Sequence, residues 1–262
     1  MSNAIDLKGK KVYLLVTGAS KGIGAMMAIE TSKELATGSI VVLIARSLGG
    51  LEKTKAEILR KNPDLEVVVR SIDLVKPPVE ILIDLISETY APNFDLAMII
   101  HNAGTLGDTS KWAEEFNDYE ELQEFYSMNV FTPMILNNAF LEGIPEETKK
   151  FIVNITSKAA IAPFKSFGFY GPSRAAREMF FRVLAEEKEQ VLVLNYSPGP
   201  VETDMTVDAQ KNAGSEETSG IFKQLRETGT ILTTEQTTKK FLEVVAKGNY
   251  KSGDHVDYYD EI

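Results

Sequence analysis

Short apolar runs that alternate with longer helical patterns constrain the fold of this chain more than any other feature. The runs cover residues 11–18, 39–46, 65–74, 95–104, 149–157, 190–199 and 255–259. Most are nearly continuous in Val, Ile and Leu, which is typical of parallel strands buried on both faces. Helical patterns lie between them near 22–36, 47–62, 77–90, 117–142 and 168–189. This alternation predicts an α/β fold, a doubly wound parallel β-sheet flanked by helices, as a single domain over 1–262.

The composition excludes several classes of function. The chain of 262 residues has a net charge of −10 and no cysteine. A disulfide, a thiolate metal site and a cysteine nucleophile are therefore impossible. The acidic balance disfavours nucleic acid and anionic membranes as general partners, because both require a basic surface. No stretch approaches the roughly 20 apolar residues of a membrane span. We expect a soluble cytoplasmic protein with a small-molecule substrate and no metal.

A glycine-rich turn, "TGASKGIG" (17–24), follows the first apolar run and precedes a helical pattern. Glycines at this point allow a tight turn and let the backbone approach a pyrophosphate at a helix N-terminus. A purely structural turn is the alternative, but the strand–turn–helix context favours dinucleotide binding and a Rossmann-like fold. The predicted cofactor-binding residues of this turn are Gly18, Ala19, Ser20, Lys21, Gly22, Ile23 and Gly24.

The end of the second run bears on the choice of cofactor. NAD-binding proteins usually have an acidic residue near here, which binds the ribose 2′-hydroxyl. This chain has Arg46 instead, and Lys21 lies in the glycine-rich turn. Two cations favour a 2′-phosphate, and so the pattern predicts NADPH. The alternative is that Arg46 is a solvated strand end.

Two further polar residues follow predicted strands. Asp73 could accept a hydrogen bond from an adenine amino group, and Asn102 begins "NAG" at the sheet edge where such folds bind ligands. Both could equally be strand-end turn residues.

A tyrosine, a cation and a serine form a candidate catalytic group. Tyr170 and Arg174 are four positions apart and share one helix face, and Ser157 ends the fifth run. Serine and tyrosine hydroxyls can both bind one carbonyl oxygen, and the tyrosine can donate a proton to it. A nearby cation favours the phenolate. Tyrosines on helix faces usually pack, so only the joint occurrence of these motifs indicates a catalytic role for Tyr170.

Residues 205–232 are polar, contain glycine and follow a strand. This least regular part of the chain is either a mobile lid over the site or an ordinary surface insertion. The sequence does not separate the two interpretations.

The order of these motifs resembles the short-chain dehydrogenase/reductase family over essentially the whole chain. Five segments look like the matching segments of family members that reduce the side-chain ketone of a pterin. They are "NAGTLGDTSK" (102–111), "APFK" (162–165), "AAREMFF" (175–181), "VLNYSPGPVETDM" (193–205) and "YKSGDHVDYYD" (250–260). The resemblance implies NADPH as the cofactor, a pterin ketone as the substrate and a homodimer. The dimer would form through the helices near 117–142 and 168–189.

The resemblance also implies a role for each matching residue. Ser157 would polarise the carbonyl, Tyr170 would donate the proton, and Asn129 would support a proton-relay water. The glycine-rich turn would hold NADPH together with Ala45, Arg46, Asp73 and Leu74. The backbone of Val201, Glu202, Thr203, Asp204, Met205 and Thr206 would close over the nicotinamide half. Gly199 would border the substrate, and Asp257 would accept hydrogen bonds from the 2-amino and ring N–H groups of the pterin. Without the resemblance, a solvent-facing aspartate is the simpler interpretation of Asp257.

One position departs from the family pattern. Arg174 stands where lysine is expected, to bind the nicotinamide ribose and pass protons. Arginine keeps the charge but is bulkier and does not release a proton at working pH. We therefore expect retained cofactor binding and reduced turnover. Two alternatives stay open: a broad reductase of vicinal dicarbonyls, and a catalytically impaired NADPH-binding protein. His101 and His255 lack partners at metal-ligand spacing and are interpreted as structural.

Overall fold

A seven-stranded parallel sheet forms the centre of the computed structural model, which describes residues 3–261. The strands lie in the order β3-β2-β1-β4-β5-β6-β7, and every pair of neighbours is parallel. Their bounds are β1 Val12–Thr17, β2 Ile40–Ala45, β3 Glu66–Ser71, β4 Leu96–His101, β5 Lys149–Ile155, β6 Val191–Ser197 and β7 His255–Asp257. The predicted doubly wound α/β fold is confirmed.

Helices cover both faces of the sheet. They are α1 Gly22–Thr31, α2 Leu48–Lys61, α3 Val79–Thr89, α4 Tyr119–Tyr126, α5 Thr132–Gly143, α6 Tyr170–Glu187, α7 Asp204–Asn212, α8 Glu216–Glu227 and α9 Thr234–Lys247. The apolar sides of α1, α2 and α9 pack on one face, and those of α3, α5 and α6 pack on the other. Because β1, β2 and β4 are buried along their whole length, their sequences are apolar without alternation.

The position of the site follows from the strand order. The chain builds outward from β1 to β3, and then returns to the other side of β1 to form β4. Connections from β1 and β4 therefore leave in opposite directions, which opens a crevice at their carboxyl ends. The glycine-rich turn follows β1, and the "NAG" segment follows β4.

The structure corrects several predicted boundaries. The final strand ends at Asp257 rather than at 259, because residues 258 and 259 form a turn. The segment 205–232 contains α7 and α8 and is more regular than its composition indicated. Helix α9 was not predicted at all, although Thr233 and Gln236 form a capping box at its start. The helix predicted over 117–142 is present as α4 and α5, joined by a π-helical turn at Ser127–Phe131.

Within residues 3–261, no helix is long and apolar enough to cross a membrane. The same residues contain no cluster of His, Asp and Glu side chains suited to a metal ion. A cytoplasmic location stays a prediction.

Candidate active site

A cleft of about 1230 Å³ opens at the carboxyl edge of the sheet and brings most of the predicted site residues together. Those that line it are Gly18, Ser20, Lys21, Gly22, Ile23, Ala45, Arg46, Leu74, Asn102, Ser157, Tyr170, Arg174, Gly199, Val201, Glu202, Thr203, Asp204, Met205, Thr206 and Asp257. Ala19 and Gly24 are buried behind the loop, Asp73 is exposed beside the cleft, and Asn129 is fully buried. Residues from the β1, β2, β4, β5 and β6 connections thus share one cleft.

The glycine-rich turn has the geometry that a dinucleotide phosphate requires. Gly18 and Gly22 adopt positive φ angles of 68° and 62°, which residues with a Cβ rarely adopt. A Cβ at Gly24 would collide with the side chain of Asn102. Helix α1 begins at Gly22 with no side-chain cap and no acidic residue in its first turn. Its N–H groups are therefore suited to an anion, and the loop fits the diphosphate of a nicotinamide dinucleotide.

Asn102 holds this loop against the end of β4. Its backbone N–H donates to Thr17 Oγ1 at 3.0 Å, and its Nδ2 donates to the Thr17 carbonyl at 3.1 Å. The backbone N–H of Ala103 donates to the same Thr17 hydroxyl at 3.1 Å. Asn102 therefore fixes the floor of the cleft as well as lining it.

The end of the cleft beside β2 carries two cations and no acid at the strand end. The Arg46 side chain is exposed, and it makes no hydrogen bond to any described residue. Lys21 forms an ion pair with Asp204 across the opening of the cleft. The side chains of this pair are 73% and 80% exposed, so the pair contributes little to stability and Lys21 can exchange partners. The Oδ1 atom of Asp73 accepts a hydrogen bond from the Val75 N–H at 3.1 Å.

Ser157 and Tyr170 line the middle of the cleft. Ser157 lies two residues after the end of β5 and caps a short 3-10 helix, with its Oγ accepting from the Ala159 N–H at 3.2 Å. Tyr170 is the first residue of α6 and is 7% exposed. Pro172 lies in the first turn of α6, where its missing N–H breaks no intrahelical hydrogen bond.

Arg174 lies over Tyr170. Its guanidinium carbon is 4.8 Å from the centre of the tyrosine ring, and its Nη1 donates to the Ile155 carbonyl at 3.3 Å. The side chain is only 3% exposed, and it lies close enough to Gly104 that a Cβ there would collide with it. The cation is therefore near the tyrosine, but it contacts the ring face and the end of β5.

Asn129 occupies the π-helical turn between α4 and α5. Its Oδ1 accepts from the Thr105 N–H at 3.1 Å, and its Nδ2 donates to the Phe125 carbonyl at 3.0 Å. Its side chain thus links the turn to the segment after β4. Its predicted role in a proton relay stays a prediction.

Arg177, which no sequence motif singled out, is fully buried next to the site. Its guanidinium donates to the carbonyls of His101, Ala103, Asn129 and Ile155 and to the side-chain oxygen of Asn154, at 2.5–3.4 Å. No carboxylate within residues 3–261 is bonded to it, and burial together with Arg174 lowers its pKa. The sequence signal that could have identified Arg177 is its position, three residues after Arg174 and within an apolar helix face.

His101 is buried beneath the same carbonyls. Burial, with a smaller contribution from Arg177, lowers its pKa to about 3. The imidazole is therefore neutral at physiological pH, and its ring packs 5.1 Å from the ring of Phe181. Both observations agree with the structural interpretation of His101.

The far end of the cleft combines two carboxylates, Asp257 and Asp260, with an apolar wall. Asp257 Oδ2 accepts from Ser197 Oγ at 2.6 Å, and Asp257 Oδ1 accepts from the Tyr259 N–H at 3.1 Å. These bonds fix the carboxylate at the edge of the cleft, where a ligand N–H could reach it. The apolar wall consists of Leu106, Phe164, Phe167, Met205, Ala209 and Phe222.

The chain is similar in sequence to two groups of reductases. The sequence profile of the short chain dehydrogenase family matches residues 12–214. The sepiapterin reductase of Xenopus tropicalis is 35% identical over 252 residues, which cover 95% of this chain and 97% of that protein. The (S)-benzoin-forming benzil reductase of Bacillus subtilis is 27% identical over 243 residues, with 89% and 93% coverage.

Solved structures have the same fold. KRED1-Pglu is 26% identical to this chain and has a TM-score of 0.80. The superposition covers 94% of this chain and all of that chain. A short chain dehydrogenase structure from Shigella flexneri, complexed with NADP, is 23% identical with a TM-score of 0.77 and covers 97% and 99%.

Proposed function

The chain belongs to the short chain dehydrogenase family of nicotinamide-dependent oxidoreductases, and we propose that it is an NADPH-dependent reductase of a pterin side-chain ketone. Sepiapterin and 6-pyruvoyl-tetrahydropterin are the proposed substrates, and tetrahydrobiopterin biosynthesis is the proposed pathway. One observation carries the proposal: a fixed carboxylate, Asp257, lines the same cleft as the hydroxyls of Ser157 and Tyr170. The similarity to sepiapterin reductases along nearly the whole chain supports it.

The two hydroxyls supply the acid chemistry of a ketone reduction. Ser157 donates a hydrogen bond to the carbonyl oxygen and polarises it, and Tyr170 donates a proton to the same oxygen. The bound cofactor supplies the hydride. The cation of Arg174, 4.8 Å from the Tyr170 ring centre, stabilises the negative charge that the tyrosine gains when it gives up its proton.

The charges at the β2 end of the cleft support NADPH as the cofactor. Arg46 is exposed and unpaired within residues 3–261, and no acidic residue competes for a ribose 2′-hydroxyl at that strand end. A 2′-phosphate would give Arg46 a charge-assisted hydrogen bond. It would also offer Lys21 a second partner besides Asp204.

Asp257 supports the pterin as the substrate. The edge of a pterin carries a 2-amino group beside a ring N–H, and a carboxylate can accept from both. Ser197 and the Tyr259 N–H hold the carboxylate in place. The apolar wall around Phe164 and Phe222 suits the flat faces of the bicyclic ring.

The test is oxidation of NADPH in the presence of sepiapterin, with NADH as the parallel cofactor. Turnover with NADPH and much less with NADH is the expected result. Failure to turn over sepiapterin, while NADPH still binds in a fluorescence titration, would reject the pterin substrate and favour an impaired site. Absence of NADPH binding would reject the cofactor assignment.

A vicinal diketone is the second candidate substrate. The benzil reductase of Bacillus subtilis is similar along most of the chain, and benzil is an apolar diketone. The apolar wall could hold such a molecule without any contribution from Asp257. Reduction of benzil together with failure to reduce sepiapterin would favour this candidate.

The proposed homodimer would cover exposed apolar side chains on α5 and α6. Phe131 beside α5 is 46% exposed, and Met179 and Val183 on α6 are 54% and 46% exposed. Burying such side chains against a second copy is favourable. Sedimentation of wild type and Met179→Asp tests the proposal, since the charge should shift the protein toward a monomer.

A further inference from the structure

One side-chain carboxylate of the described residues is buried, and the mechanism above does not use it. Glu178 on α6 is 3% exposed, and no other Asp or Glu among residues 3–261 is buried to this degree. Its Oε2 accepts from Thr156 Oγ1 at 2.7 Å and lies 2.9 Å from His255 Nδ1. A buried carboxylate is costly unless hydrogen bonds satisfy it, and here two side chains do so.

Its two partners each lie within two residues of a proposed site residue in the sequence. Thr156 lies between the end of β5 and Ser157, and its N–H donates to the Tyr196 carbonyl in β6 at 2.9 Å. His255 begins β7 opposite Asn195, and Asp257 lies two residues further along the same strand. Glu178 therefore connects the ends of two strands that flank β6.

The bond between Glu178 and His255 acts on β7, which is a short strand at the edge of the sheet. Strand β7 has only three residues and pairs with β6 alone. Backbone hydrogen bonds at Asn195, Gly253 and Tyr258 hold this segment to β6, and the buried Glu178–His255 bond adds a side-chain link from the first residue of β7 to α6. Since His255 and Asp257 point to the same face of the strand, fixing one restrains the other.

We propose that Glu178 is a positioning residue that sets Ser157 and Asp257 relative to each other, through Thr156 and His255. The roles of Ser157 and Asp257 rest on the proposed function. The carboxylate only accepts, so His255 Nδ1 carries the proton and donates to it, as does the Thr156 hydroxyl. Helix α6 thus contributes Tyr170 at its start and, two turns later, Glu178, which aligns Ser157 and Asp257.

Four variants distinguish the effect of the Glu178–Thr156 hydrogen bond from that of the Glu178–His255 hydrogen bond. Glu178→Met removes the acceptor at similar volume, and Glu178→Gln retains an acceptor oxygen. Thr156→Val and His255→Leu each remove one partner. Leu184→Ala, a buried position on the same helix without a bond to either strand, controls for general loss of stability.

We expect Thr156→Val to lower kcat for both sepiapterin and benzil, with little change in KM. We expect His255→Leu to raise KM for sepiapterin about tenfold and leave KM for benzil nearly unchanged. Glu178→Met should show both effects and Glu178→Gln should largely restore them. The KM increase in the Glu178→Met/His255→Leu double variant should not exceed that of the larger single variant. Additive effects, or a Leu184→Ala profile equal to that of Glu178→Met, would overturn the proposal.

Amide hydrogen exchange gives a readout that needs no substrate. In Glu178→Met the amides of 156–159 and 255–258 should exchange at least about tenfold faster, while those of β1 and β4 stay unchanged. If wild type fails to reduce sepiapterin, the proposed function fails, and exchange still decides the role of Glu178. Unchanged exchange at both strand ends would reject that role whatever the substrate is.

Discussion

The guanidinium of Arg174 lies over the face of the Tyr170 ring, with its carbon 4.8 Å from the ring centre, and its Nη1 is bonded to the Ile155 carbonyl. A lysine at this position would have a flexible stem and a single ammonium group. It could turn toward the cofactor and exchange protons, which the tethered arginine does not do. We therefore expect Arg174→Lys to raise kcat for sepiapterin by about tenfold or more, within the range typical of acid–base contributions.

The steady-state rate and its pH profile measure this effect. Arg174→Met serves as the control, because it removes the cation while keeping the length of the side chain. It should lower kcat across the whole pH range. If Arg174→Lys leaves kcat unchanged, arginine serves as well as lysine and the site is not impaired.

The exposed Arg46 at the end of β2 predicts the cofactor preference. Its loss should remove a charge-assisted hydrogen bond to the 2′-phosphate. Arg46→Ala should then raise KM for NADPH about tenfold or more and leave KM for NADH nearly unchanged. Lys53→Ala, an exposed cation on α2 away from the cleft, is the matched control. Equal effects on both cofactors would show that Arg46 does not recognise the phosphate.

Asp257 predicts discrimination between the two candidate substrates. Asp257→Asn keeps the shape of the side chain and replaces one acceptor oxygen by a donor. KM for sepiapterin should rise about tenfold to a hundredfold, as expected for a hydrogen bond to a charged group, while KM for benzil should change little. Equal losses for both substrates would mean that Asp257 supports the cleft rather than the pterin.

The sheet, the glycine-rich turn and the group of Ser157, Tyr170 and Arg174 could be predicted because each depends on local pattern. Gly199, Asp257 and the backbone of 201–206 were predicted only from the family resemblance. Continuous Val, Ile and Leu runs indicate buried parallel strands, and the carboxyl ends of such strands must meet at one edge. Arg177 stands out in the sequence only as an arginine on an apolar helix face. Its hydrogen-bond partners could not be predicted, since the carbonyls of His101, Ala103 and Ile155 are brought together only by tertiary packing. The orientation of Arg174 over the Tyr170 ring has the same origin.

Helix α9 was missed for a different reason. Its sequence is polar on the exposed side and carries only a narrow apolar stripe, Phe241, Val244 and Val245, that packs on the sheet. Propensity alone is a weak guide for such a helix, because packing supplies most of its stability. The cap at Thr233 and the left-handed Gly248 at its end were the available signals.

Arg177 predicts a large effect on stability. Its fully buried side chain donates to several carbonyls and to the Asn154 side-chain oxygen. Arg177→Met would leave these acceptors buried without donors, and the free energy of unfolding should fall by about 2–4 kcal/mol. Urea unfolding measures the change, and Arg182→Met, an exposed arginine on the same helix, is the control. A loss equal to that of the control would show that water replaces the lost donors.

His101 predicts how stability depends on pH. Burial lowers its pKa to about 3 in the folded chain, whereas the pKa of an unfolded histidine is about 6.5. Above about pH 6.5 both states are neutral and His101 has no effect on the pH dependence. Below it only the unfolded state takes up the proton, so the free energy of unfolding falls by about 1.4 kcal/mol per pH unit toward pH 3. Between pH 7 and pH 5, wild type should therefore lose about 2 kcal/mol more than His101→Asn in urea unfolding. Parallel pH profiles of the two proteins would show that His101 titrates alike in both states.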